Sequence, residues 1–141
     1  MATIKYLPTR EIKPVVNLMV ERHKFGELSF PDSQTATSED IEESLLLLSY
    51  GINPNITMMD KRDGSSVILN GNRFIRAVIE YVSDLHVYPI NGHLESFQGK
   101  RFSELTRSDQ RKIRTADLTI TICTEESGLF SDLSKIAQRL S

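Results

Sequence analysis

The sequence predicts an α+β fold, a small mixed sheet with helices packed on it. Three observations carry that reading. They are a hairpin signal centred on a tight turn, a helix of period 3.6 directly after it, and a strand near the C-terminus alternating Thr with Leu or Ile. The 141 residues suit one domain around one hydrophobic core, with residues 1–9 expected as an N-terminal arm.

From the N-terminus, Ile12, Val15, Val16, Met19 and Val20 recur at helical spacing and predict a helix from Pro14 to Phe25. Pro14 suits the first turn, where its missing N–H matters least, and Gly26 suits the stop. Leu28 to Asp32 is expected to be extended, because Pro31 keeps Phe30 out of the helical region. A second helix spans Ser38 to Tyr50, capped by Thr37 or Ser38, with Glu39 and Asp40 favouring its dipole and Ile41, Leu45 and Leu48 facing inward.

The hairpin follows. Asn55 to Asp60 and Ser65 to Leu69 flank Lys61-Arg62-Asp63-Gly64, and Asp-Gly is a strong tight-turn signal. After Asn70-Gly71-Asn72 the period changes: Phe74, Ala77, Val78, Tyr81 and Val82 form the best helical stripe in the chain. Leu85 to Ile90 reads as a strand and Phe102 to Arg114 as a short helix. The alternating strand Leu118 to Cys123 comes next, and Leu129, Leu133, Ile136 and Leu140 predict a closing helix.

Composition narrows the function classes. Seventeen basic against 19 acidic residues give a net charge of −2, which argues against a generally basic nucleic-acid coat. With 39% apolar residues the chain is not of disordered composition, and one cysteine excludes an internal disulfide or a Cys-rich zinc ribbon. The longest apolar run, Leu45 to Leu48, is far below the roughly 18 residues that span a bilayer, so neither an export signal nor a membrane partner is expected and a cytoplasmic location is the default.

The stretch Ser65 to Ala77 is the most informative for chemistry. A buried strand runs through a glycine-bearing turn into the N-terminus of an amphipathic helix, a geometry that aims backbone N–H groups and the positive dipole end at an anion. Arg73 and Arg76 lie off the apolar stripe and can add charge to the same phosphate or carboxylate. A plainer reading stands beside it. There Asn70 or Asn72 caps the helix, Gly71 makes the turn, and the arginines are solvated, with Arg76 pairing Glu80.

Other candidates carry less. His23, His86 and His93 lack metal-ligand spacing, and no metal ligand set is expected. Asp60, Asp63 and Asp84 can neighbour a site, although Asp63 belongs to its turn. Cys123 reads as a small core residue, and Ser65 and Ser66 lack any His/Asp partner pattern. Arg101, Arg107, Arg111, Lys112 and Arg114 form the one basic stretch, a solvated helix face with DNA contact as a minor reading.

The segment Val67-Ile68-Leu69-Asn70-Gly71-Asn72-Arg73-Phe74-Ile75-Arg76-Ala77 resembles the hydrophobic–Asp-Gly-Gln-Gln-Arg-Leu-x-Ala signature of ParB/sulfiredoxin-like domains. The likeness is to the branch found at the N-terminus of GmrSD-type, modification-dependent restriction enzymes and in phage-defence proteins. Phe30 to Thr35 is similar to the family's Ile-Pro-x-Tyr/Phe-Gln-Arg motif, keeping Pro31 and Gln34. Ile41 to Gly51 followed by Asn53-Pro54, Gly99 to Leu105, and Ile136 to Ser141 resemble further family elements in the same order, so the likeness spans about residues 10–141.

The resemblance implies a cleft between the two motifs that binds the phosphates of a nucleoside triphosphate, with magnesium, in proteins of DNA-defence context. On that basis Gln34, Asn70, Gly71, Asn72, Arg73 and Arg76 are the expected ligand-binding residues. The chain departs from the pattern in three places: Asn70 replaces the family's Asp, and Thr35 and Phe74 replace its arginines. No catalytic residue is assigned, since Asn70 can neither act as a general base nor hold a divalent cation as a carboxylate does. Three functions stay open from the sequence: a non-catalytic or weakly active nucleotide- or phosphate-binding domain, a protein-interaction or regulatory module with a vestigial cleft, and an NTP-hydrolysing component of nucleic-acid processing.

Overall fold

A five-stranded sheet with order β1-β5-β3-β4-β2 forms the centre of the computed structural model, which describes residues 9–124, 136–137 and 139–140. Its strands are β1 (Thr9–Ile12), β2 (Leu28–Ser29), β3 (Ile56–Asp60), β4 (Ser66–Asn70) and β5 (Ile120–Thr124). β1–β5 and β3–β4 pair antiparallel, whereas β3–β5 and β2–β4 pair parallel, so the sheet is mixed as expected. The helices are α1 (Val16–Lys24), α2 (Ser38–Ser49), α3 (Asn72–Val82) and α4 (Arg107–Arg114). The fold class is α+β.

Side chains alternate across the strands, and the alternation sorts the core. Ile56, Met58, Ile68, Ile120 and Ile122 face the helices, where they meet Val16 and Met19 of α1, Ile41 and Leu45 of α2, and Ile75, Val78 and Ile79 of α3. Their neighbours Met59, Val67, Leu69 and Cys123 form a second, smaller cluster on the opposite face, against which Ala137 packs. Each fully buried side chain of this kind contributes about 1.5–3 kcal/mol, so the helix-covered face supplies most of the driving force.

The local signals account for most elements. Thr37 caps α2 in a capping box: its hydroxyl accepts from the Asp40 amide at 3.0 Å and the Asp40 carboxylate accepts from the Thr37 amide at 3.1 Å. Asp63 holds its turn by accepting from the Ser65 amide and hydroxyl at 2.9 and 2.6 Å. Gly71 takes a left-handed conformation (φ +85°) to turn β4 into α3. A Cβ there would stand 2.7 Å from the Asn55 carbonyl oxygen, so only glycine fits this junction.

Several expectations are corrected. Leu85 to Ile90 is not a strand: Leu85, Val87 and Ile90 are exposed, and only Tyr88 turns inward. Tyr88 exchanges its backbone hydrogen bonds with Gly99 and Lys100, which ties the loop to itself rather than to the sheet. The helix expected over Phe102 to Arg114 is two pieces, a 3-10 turn at Phe102–Glu104 and then α4, divided at Thr106, which caps α4. Pro14 lies outside α1 because its carbonyl accepts from the Leu118 amide. Of the extended stretch 28–32 only Leu28–Ser29 pairs, and Thr9, placed in the arm, belongs to β1. Residues 1–8 and most of the closing helix lie outside the described residues; Ile136, Ala137, Arg139 and Leu140 are helical.

Candidate functional site

α3 grips the chain from just after β2 into the first turn of α2 at three successive points. Arg73 meets Asp40, with Nε and Nη2 both donating to Oδ1 at 3.0 and 2.6 Å. Arg76 meets Asp32, with Nη2 donating to Oδ1 at 2.6 Å. Glu80 accepts the Ala36 amide at 3.0 Å through the same oxygen that lies 2.7 Å from His86 Nε2. Positions 73, 76 and 80 share a helix face, so one rigid element fixes the whole 32–40 segment.

That grip leaves a cleft of about 490 Å³ where β4 turns into α3, lined by Asp32, Gln34, Pro54, Asn70, Gly71, Asn72, Arg73, Phe74 and Arg76. All six residues expected to bind ligand, Gln34, Asn70, Gly71, Asn72, Arg73 and Arg76, meet on its walls. The two sequence motifs, remote in the chain, therefore face one another. The N-cap of α3 is Gly71, which has no side chain, and among the described residues no side chain caps the first turn, so the plainer expectation of an Asn70 or Asn72 cap is not realised. The Oδ1 atom of Asn72 is buried without a hydrogen-bond partner.

The arginines differ from expectation. Arg76 is buried, with the Phe30 ring 4.7 Å from its guanidinium carbon, and it pairs Asp32 rather than Glu80. Stacking against an aromatic face and a short ion pair together compensate the lost hydration of that cation. Arg73 is exposed and committed to Asp40. Burial pushes the Asp40 carboxyl up, but the Thr37 amide and the Arg73 guanidinium outweigh it and hold the group below the ordinary carboxylate range. Phe74 packs into the core while reaching the cleft, and Thr35 is exposed outside its lining.

Asp32 and Asp40 are the residues that sequence reading did not single out for the site. Asp32 lies inside the Phe30–Thr35 motif, and its Oδ1 also accepts the Gln34 amide at 3.0 Å, an Asx turn whose Asp-x-Gln spacing was the available signal. Among the described residues that line the cleft Asp32 is the sole carboxylate, already paired to Arg76, and Asn70 offers an amide. This donor set does not fit a magnesium ion, which favours carboxylate oxygens. Among the described residues no group of three His, Cys, Asp or Glu side chains stands ready for a metal.

The remaining candidates have structural partners. His23 stacks on Phe30, His93 meets Glu42, and Asp84 accepts the Ser103 amide at 2.9 Å. Ser66 is buried, donating to Asp60 at 2.6 Å and accepting from Arg22 at 2.9 Å. Cys123 is buried in β5. Arg107, Arg111, Lys112 and Arg114 are exposed on α4 and take no part in the cleft lining. Among the described residues no helix is long and apolar enough to cross a membrane.

The fold and cleft define the class: an α+β domain with a cleft at a strand–glycine–helix junction. No family model, curated protein or solved structure matches the chain.

Proposed function

We propose that the cleft binds a phosphorylated ligand of nucleotide type without turning it over, in the manner of a ParB/sulfiredoxin-like domain of DNA-defence context. The observation that carries this reading is the meeting of Gln34 with Asn70, Gly71, Asn72, Arg73 and Arg76 around one cavity at an uncapped helix start. Backbone amides and the positive end of an eleven-residue helix favour an anion there, and buried Arg76, balanced by Asp32, lines the same cleft. Turnover assisted by a general base would need one beside the phosphate. Asn70 cannot accept a proton at neutral pH, and Asp32 is engaged by Arg76.

A thermal-shift screen with inorganic phosphate and with ribonucleoside 5′-mono- and triphosphates, with and without magnesium, tests the reading. A saturating ligand is expected to raise the melting temperature by a few degrees. Gln34 is exposed, so Gln34→Ala should weaken the shift while leaving the unliganded melting temperature unchanged. The internal pairing of both arginines favours a second reading, a protein-contact module with a vestigial cleft. Absence of a shift with every phosphorylated compound selects that one.

A further inference from the structure

The two ion pairs at the cleft are built with opposite polarity. In one, the cation is the buried partner: the Arg76 side chain is 4% exposed and Asp32 is 41% exposed. In the other, the acid is buried: Asp40 is 9% exposed and Arg73 is 76% exposed. Removing the partner of a buried charge is costly, whereas an exposed charge that loses its partner is taken up by water. Asp32 can therefore turn out into solvent whenever another anion replaces it on Arg76. Arg73 cannot leave without stranding Asp40, which is also fixed by the Thr37 amide.

Resting on the phosphate-ligand reading above, we propose that Asp32 is a resident stand-in for the ligand's acidic group. The ligand's phosphate takes the place of the Asp32 carboxylate on Arg76, so Arg76 is the anchor and Arg73 is a positioning residue that ties α3 to α2. Phe30, stacked on the guanidinium, keeps Arg76 aligned for either anion. The exchange moves no proton and breaks no covalent bond. One carboxylate leaves a buried cation and one phosphate oxygen replaces it.

Isothermal titration calorimetry with inorganic phosphate and the same ribonucleoside phosphates tests this on the full chain. Asp32→Asn removes the internal competitor and keeps an acceptor for the Gln34 amide, so it should tighten binding about tenfold. Glu11→Gln, the same change of charge on β1, should alter affinity less than about twofold. Arg76→Lys should weaken binding about tenfold through loss of the guanidinium fork. A second readout is thermal. Asp32→Asn should melt below the wild type in phosphate-free buffer and be raised more than the wild type by saturating phosphate. Wild-type binding that Asp32→Asn or Arg76→Lys leaves unchanged overturns the stand-in while leaving the phosphate reading in place. Failure of both wild type and Asp32→Asn to bind any of these compounds overturns the phosphate reading, and the stand-in with it.

Discussion

Arg73 and Asp40 are joined through a single carboxylate oxygen, with Oδ1 accepting from both Nε and Nη2 and Oδ2 left for the Thr37 amide. One side chain thereby closes the capping box of α2 and anchors α3. Loss of that carboxylate removes the capping-box bond within α2 and the link between α2 and α3, although each contact alone is modest.

Asp40→Asn is accordingly expected to lower stability by about 1–2 kcal/mol at pH 7, read from urea unfolding. The acid dependence follows from the direction of the shift. A carboxyl held below its unfolded value stabilises the fold fully above about pH 4 and ceases to do so as pH falls through the folded value. Glu42, lowered chiefly by its hydrogen bond to His93, acts in the same sense. The gap between wild type and Asp40→Asn should be constant near neutral pH and narrow as pH falls below about 4; a gap that stays constant there too would show that the carboxylate charge contributes nothing.

Gly71→Ala and Gly26→Ala separate conformational strain from steric overlap. Both glycines have positive φ, +85° and +74°, but only at Gly71 does a Cβ meet backbone, 2.7 Å from the Asn55 oxygen, with open space at Gly26. Gly26→Ala should cost about 1 kcal/mol, and Gly71→Ala more than about 2 kcal/mol with altered chemical shifts in α3. Equal losses in denaturant melts would mean that the junction yields freely.

Cys123 should be inert in the native protein. Burial is the main cause that pushes its thiol up, and its S–H points to the Met58 carbonyl at 3.7 Å, so little thiolate forms and little reagent reaches it. An aromatic disulfide reagent is expected to react at least about a hundredfold faster in denaturant than in buffer, since reaction then waits on opening of the fold. Immediate native reaction would show that the second sheet face is open.

Elements set by neighbours in the chain were legible in the sequence. The Asp63-Gly64 turn, the Gly71 junction and the 3.6-residue stripe of α3 each follow from local conformational preferences. The stretch 85–90 misled because its alternation of apolar and polar residues is a local pattern, while a strand needs a partner, and Tyr88 finds its partner in the same loop. The cleft was legible as a set of lining residues but not as a charge arrangement. Arg76 reads as a solvated residue beside Glu80, and its burial depends on Asp32, 44 positions away, and on the Phe30 ring. Contacts of that range leave no periodic trace along the chain.

The two-residue strand β2, which closes one side of the sheet beside β4, has a consequence for association. A border this brief presents few free peptide groups, so another chain has little backbone on which to continue the sheet, and growth into fibrils from this side is discouraged by geometry alone.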